Sequence, residues 1–130
     1  MSNLSQALRA SATGLAAERF RMDVISTNIA NANSVRTNNQ DPYRRRDVVL
    51  VPTSNGVSVS QVVEDERPFR IVHEPGNPLA DREGNVYYSN VEPVAEMVNM
   101  LGASRAYEAN IAAFNSAKSM IRSALNIGRV

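Results

Sequence analysis

From Met100 to Ala124 the residues Met100, Ala103, Tyr107, Asn110, Phe114, Ala117, Ile121 and Ala124 recur at alternating steps of three and four. A seam that keeps this heptad period is narrow, and a narrow seam is buried only against another helix. The helical period runs from Val91 to Ile127, about 55 Å at 1.5 Å per residue. Glu92 and Glu96 stand near its start and Arg122 near its end, the order that suits the helix dipole.

Within the chain the available partner is the stretch from Leu4 to Ile29. There Leu8, Leu15, Met22 and Ile29 lie seven apart, flanked by Leu4, Ala12 and Ile25. Asn3 and Gln6 have the spacing of a capping box, and Gly14 costs the helix interior about 1 kcal/mol relative to Ala. Two such helices at the two ends of the chain imply an elongated antiparallel pair. Each covers only one side of the other, so much apolar surface is left for further helices to cover.

Between the helices the period changes. Ala30 to Ser34 and Thr37 to Pro42 are dense in residues whose side chains compete for backbone hydrogen bonds, which marks a polar loop. Arg46–Val51 and Val57–Val63 read as strands around Asn55-Gly56, a type I′ hairpin signal. That turn sets Arg46 opposite Asp65 and Arg45 opposite Glu66, bringing Arg44-Arg45-Arg46 near Glu64-Asp65-Glu66. Phe69, Ile71 and His73 alternate in a further short strand. A turn at Glu74-Pro75-Gly76-Asn77-Pro78 follows, and Val86-Tyr87-Tyr88 returns. The expected class is α+β: residues 1–32 and 91–130 form a helical unit, and 33–90 form an inserted loop and β-hairpin unit.

Composition removes several function classes. Among 130 residues the net charge is +1, so no overall field draws the chain to nucleic acid or an anionic membrane. With no Cys there is no disulfide framework, thiolate metal site or Cys nucleophile. Neither a signal peptide pattern nor a stretch of about 18 apolar residues is present. All basic residues but Lys118 are Arg, the side chain better suited to partly desolvated ion pairs.

The residues that invite a sharper reading have plainer ones. His73 is the sole His and has no nucleophile at a diagnostic spacing, so a structural or solvated role is expected. Asp81-Arg82-Glu83-Gly84-Asn85 lacks the ligand offsets of a calcium loop and reads as a turn. Arg44-Arg45-Arg46 is short, has only Tyr43 as an adjacent aromatic, and is matched by an acidic triplet, which argues against a phosphate site. Asn28, Asn31 and Asn33 read as helix-end capping. Asn110 either faces solvent or, if buried, specifies register. No catalytic residue, metal site or cofactor is expected.

Ser11-Ala12-Thr13-Gly14-Leu15, Arg21 and Val24-Ile25-Ser26-Thr27-Asn28-Ile29-Ala30-Asn31 resemble the N-terminal signature of flagellar rod and hook proteins. Glu74 to Asp81, Gly84-Asn85-Val86 and Asn90-Val91 resemble the proximal-rod type of subunit in that family. So do Glu96 to Asn99, Ala103 to Asn110 and Ser119-Met120. The sequence departs from the pattern at Ile29, where Leu is more usual, and in a short hairpin around Thr53 to Gly56.

The resemblance implies a structural subunit of the flagellar basal-body rod rather than an enzyme. It implies helices packed around a narrow channel with the β unit further out. It also implies export through the flagellar type III apparatus without a cleaved signal, and assembly in the periplasmic space. Implied partners are other copies, other rod proteins, the protein joining the rod to the MS ring, and the export apparatus. Nucleic acid and membrane insertion are not among them. The expected assembly interface comprises Leu8, Leu15, Met22, Ile25, Asn28, Ile29 and Asn31, with Met97, Leu101, Tyr107, Asn110, Phe114 and Ile121. The expected hairpin charge pairs draw on Arg45, Arg46, Glu64, Asp65 and Glu66. A helical-hairpin adaptor or export chaperone is the alternative compatible with the periodicity alone.

Overall fold

The structure, a computed structural model, describes residues 2 to 129. Met1 and Val130, the outermost residues of the expected helical unit, lie outside the described residues. Helix α1 spans Ser2–Ala30 and helix α2 Pro93–Ile127. Between them come strands β1 (Arg46–Thr53), β2 (Gly56–Glu64), β3 (Arg70–His73) and β4 (Asn85–Tyr88). The expected α+β arrangement is therefore observed, with α1 extending slightly beyond Leu4–Ile29 and α2 starting at Pro93 rather than Val91. Asn3 sits inside α1 rather than at its N-cap, which removes the expected capping box. Helix α2 opens on Pro93, whose missing N–H has no intrahelical acceptor there, after an extended Glu92.

The two long helices are antiparallel in one register. Asn28 meets Glu96 and Gly14 meets Asn110, the same number of residues apart on both helices. The approach is close because it is lined with small residues: Ser11, Gly14 and Ala17 are buried on α1, and Ala103 and Ala117 on α2. A Cβ on Gly14 would stand 2.6 Å from the Asn110 carboxamide oxygen, so at this position the glycine's cost to the helix purchases proximity. Every residue of the heptad seam from Met100 to Ala124 is buried or half-buried. Asn110 is half-buried and donates to the Ala106 carbonyl at 2.9 Å, so its amide group is satisfied within its own helix.

Strands β1 and β2 form an antiparallel hairpin that lies against α1. Its turn falls on Ser54-Asn55, one residue earlier than the Asn55-Gly56 signal suggests, since Thr53 pairs with Gly56. The turn is not type I′, because among the described residues only glycines have positive φ. Gly56 takes φ +139° immediately after the turn. An irregularity between Val49 and Leu50 shifts the register again, and Arg46 faces Glu64 instead of Asp65. The hairpin tip is fastened to α1: Val57 N–H donates to the Thr13 hydroxyl at 3.2 Å, and that hydroxyl donates to the Ala10 carbonyl at 2.7 Å.

Strands β3 and β4 form a second antiparallel pair, with Ile71 against Tyr87 and Val72 against Val86. Residues 34–36 run beside β4: Arg36 N–H donates to Tyr87 O at 2.8 Å and Ser89 N–H to Ser34 O at 3.0 Å. The connection between β3 and β4 includes a turn in which Asp81 accepts from the amides of Glu83 and Asn85, both at 2.9 Å, with Gly84 at φ +82°. This is the turn expected there.

The core is thin. Its fully buried apolar residues are Ala17, Ile25, Ala32, Val48, Val86, Val91, Ala103 and Ala117, none of them aromatic. The chain exposes 8798 Å², whereas a compact protein of 14.2 kDa exposes about 6,800 Å². The excess is what an elongated subunit with unpartnered helix faces presents.

Gly56 has the least room for change at the hairpin tip. A Cβ there would lie 2.2 Å from the Thr13 hydroxyl and 3.0 Å from the Ala10 backbone, in a region of φ that L-residues avoid. Gly56→Ala is expected to destabilise the protein by about 2 kcal/mol. Urea unfolding measures the loss, and hydrogen exchange should show faster exchange at the Val57 amide, with the helix seam keeping its protection.

Candidate assembly site

Five polar side chains, those of Asn28, Tyr43, Arg45, Asn90 and Glu96, meet where α1 ends, β1 begins and α2 begins. Asn28 is fully buried, and its carboxamide embraces a single residue of the hairpin. Its Oδ1 accepts from Arg46 N–H at 3.0 Å, and its Nδ2 donates to Arg46 O at 2.9 Å. It replaces the neighbouring strand that β1 lacks at that position. Oδ1 also accepts from the Tyr43 hydroxyl at 2.7 Å, and Nδ2 reaches Glu96 Oε2 at 3.4 Å.

Glu96, also fully buried, accepts a hydrogen bond from Arg45 Nε. The Arg45 guanidinium lies 3.6 Å from both Asp65 and Asp47. Asn90 closes the circuit, accepting from Arg45 N–H at 2.7 Å and donating to the carbonyls of Asp65 and Arg67, each at 3.0 Å. Among the described residues no buried side-chain polar atom is left without a partner. A buried charge pair is tolerable only under that condition.

The charges are tuned by these contacts. Burial pulls the Arg45 guanidinium down, but the hydrogen bond to Glu96 and its charge outweigh that, and the net shift is upward. Burial raises the Tyr43 hydroxyl. Asp65 is held below its usual 3.8, chiefly by the hydrogen bond from Arg67, against an opposing effect of burial. Glu74 is likewise held down by hydrogen bonds from Asn77 and Tyr88.

The expected interface residues divide into three groups. Ile25 and Asn28 are buried within the chain. Leu8, Leu15, Met22, Ile29, Asn31, Tyr107, Asn110, Phe114 and Ile121 are half-buried along the helical pair, and Met97 and Leu101 are exposed on the outer side of α2. Neither expected pair, Arg46 with Asp65 or Arg45 with Glu66, forms an ion pair among the described residues; among the named charges it is Arg45 and Asp65 that come within 4 Å, as a secondary contact. Glu64 and Glu66 make no ion pair among the described residues. Arg46 lies 5.6 Å from the Tyr43 ring centre. The two-residue turn and the bulge displace the predicted facing, and Glu96 takes the place nearest Arg45.

Arg44 is engaged as well, donating to the carbonyls of Asp65 and Arg67 at 3.3 Å and lying 4.2 Å from the Phe69 ring centre. The basic triplet is thus largely absorbed by internal contacts. His73 is exposed, its Nδ1 3.4 Å from Asn85 Oδ1.

Sequence reasoning missed Glu96, Asn90 and Tyr43 as members of the junction. For Glu96 a signal existed: one step of four back along the seam from Met100 lands on it, so a carboxylate occupies a position the period assigns to burial. For Asn90 and Tyr43 no local signal distinguishes them from loop residues.

A helical pair bearing this N-terminal arrangement has known counterparts. Residues 8–36 match the family described as flagella basal body rod protein, and residues 82–127 match the C-terminal family of flagellar basal body rod FlgEFG proteins. Both helices therefore carry the features of flagellar basal-body rod proteins. Similarity to curated proteins is broader. The flagellar basal-body rod protein FlgC of Salmonella typhimurium is 43% identical over 90% of this chain and 92% of its own length. FlgC of Borreliella burgdorferi is 40% identical over 95% and 97%, and FlgC of Bacillus subtilis 38% over 94% and 96%. The chain belongs to the flagellar basal-body rod protein family, with the FlgC subunits as relatives along nearly its whole length. It is a structural rod subunit, as the resemblance implies.

Asn28→Ala would remove the side-chain partner of both Arg46 peptide groups and of the Tyr43 hydroxyl and leave a gap at a fully buried position. The expected loss is about 3 kcal/mol in denaturant unfolding. Asn31→Ala, which removes one exposed bond to Thr27 O, should cost no more than about 0.5–1 kcal/mol. A difference of this size between two asparagines three residues apart separates the junction from ordinary helix-end capping.

The depressed Asp65 stabilises the fold above its usual value of 3.8 and loses that contribution as pH falls through its lower folded value. The urea midpoint should therefore begin to fall below about pH 5 and go on falling until the pH has passed that lower folded value. Asp65→Asn should lower the midpoint at neutral pH and make its decline in acid shallower.

Proposed function

We propose that this subunit works mechanically, as part of the axial drive shaft. In this reading the helical unit, residues 1–32 and 91–130, packs with equivalent helices of neighbouring subunits around the export channel. The insert, residues 33–90, lies further out and sets the position of each copy. Torque passes through many noncovalent contacts, and no catalytic step is involved. The neighbours are other copies, other rod proteins and the protein at the MS-ring junction. The subunit reaches the periplasmic rod through the flagellar type III apparatus without a cleaved signal.

The observation that carries this reading is the outer side of α2. Val94, Met97, Val98 and Leu101 stand exposed there, beside a helix whose buried face is already occupied by α1. Large apolar side chains in contiguous exposed positions are the signature of an interaction surface. The names of the relatives supply the assembly in which such a surface would be used.

Met97→Asp tests it. Because Met97 touches little within the subunit, the purified variant should keep its stability to within about 0.5 kcal/mol. In cells it should be exported yet fail to build rods, leaving the cells non-motile on soft agar. Normal motility would remove this face from assembly.

A further inference from the structure

We propose that Asn55 is a site of spontaneous deamidation, held back while the hairpin tip sits on α1 and released when the tip lifts. The reaction joins neighbours in the chain. The Gly56 amide nitrogen loses its proton to hydroxide and attacks Asn55 Cγ. Ammonia then leaves with a proton returned from water, and a succinimide ring remains. Water opens the ring at either carbonyl. Cleavage at the side-chain carbonyl gives aspartate, and cleavage at the main-chain carbonyl gives isoaspartate. Because the attacking nitrogen must be deprotonated, the reaction quickens as pH rises. It is independent of the rod reading.

Of the asparagines in the chain only Asn55 precedes a glycine. A Cβ on the following residue crowds the attack, so Asn55 is the asparagine least hindered by its own sequence. It is exposed in the turn that joins β1 to β2. Asn38 and Asn39 are exposed as well, but Asn39 and Gln40 follow them.

The folded tip withholds the nucleophile. Gly56 lies opposite Thr53, and Val57 lies opposite Pro52, which has no N–H. Val57 N–H points out of the ladder, to the Thr13 hydroxyl at 3.2 Å. Successive backbone groups of a strand point to opposite sides, so the Gly56 N–H points inward, towards Thr53. To reach Asn55 Cγ, the Gly56 nitrogen must leave the ladder and its peptide plane must turn. Thr13 holds Val57 against that rotation, and the Ala10 backbone and Thr13 side chain fill the space beside Gly56. The rate therefore follows the population of lifted tips.

The product alters the tip for good. Isoaspartate adds a methylene to the main chain inside the turn. Gly56, at φ +139°, has no free space against α1, so the lengthened tip cannot return both Gly56 and Val57 to their places on Ala10 and Thr13. A transient lifting becomes a permanent one.

The test incubates the purified full chain at mildly alkaline pH. Peptide mass spectrometry follows Asn55, with fragmentation separating aspartate from isoaspartate, and circular dichroism confirms that each variant is folded. Thr13→Ala removes the acceptor that holds Val57. Modification at Asn55 should then quicken about fivefold, the effect of one typical hydrogen bond on an opening equilibrium. Thr13→Ser keeps the hydroxyl and should age at the wild-type rate. Asn28→Ala weakens the junction at the far end of the hairpin, and it should leave the rate near that of the wild type because the tip lifts without global unfolding. Asn55→Gln, whose longer side chain closes the ring poorly, should lose the modification. The proposal is overturned if Asn55 stays intact in Thr13→Ala or ages there no faster than in the wild type. It is equally overturned if Asn28→Ala ages faster than Thr13→Ala, or if Asn38 or Asn39 is modified first.

Discussion

The buried carboxamide of Asn28 is the point on which the remainder of the molecule turns. A β-hairpin laid across a helix has no strand beside it, so the first residue of β1 would have unmet backbone groups on the side that faces the helices. Asn28 supplies both a donor and an acceptor to Arg46 in the geometry of a neighbouring strand. Glu96 and Arg45 then tie the same position to α2. A buried ion pair contributes little net stability, because desolvation offsets the attraction. Its effect here is positional: any shift of the hairpin along the helices would strand several polar atoms at once. The junction therefore fixes the angle and height of the insert on the helical pair.

Away from the junction, closeness takes the place of bulk. Ser11, Gly14 and Ala17 let α2 approach α1, and Thr13 receives the hairpin tip on another side of the same helix. α1 is thus covered from two directions, while α2 is covered from one. That asymmetry explains why the exposed large residues gather on α2, from Val94 to Ile127. A thin core of alanines and valines leaves a subunit whose apolar surface is completed by neighbours, which accords with its membership of a family of assembly proteins.

Much of this was legible in the sequence because helical periodicity is a local signal repeated many times. The seam from Met100 to Ala124 and the matching run from Leu8 to Ile29 specify two helices that must meet, and the structure places all of these residues in or beside the helix contact. The hairpin was legible as a pair of strands, but not in register. Asn55-Gly56 is a strong turn signal, yet the tip's docking on Thr13 places Gly56 after the turn, and the irregularity at Val49 shifts the strands once more. The charge pairing inferred from that register fell with it. What connects distant segments was not legible, because Asn28, Arg45, Asn90 and Glu96 acquire their meaning only when three elements converge. Asn28 was singled out for a capping role, and the structure gives its side chain the more demanding role of a strand surrogate.

The central claim is that the junction, and not the helix pair as a whole, holds the subunit together before assembly. Residue-resolved native-state hydrogen exchange on the purified monomer tests it most directly. The account predicts that amides around the junction, in Ile25–Asn28, Arg46–Val48 and the first turns of α2, exchange only through global unfolding. Those from Ala112 to Ile127 should exchange through local opening at lower free energy. Equal protection along both helices, or a junction that opens before the helix ends, would contradict it.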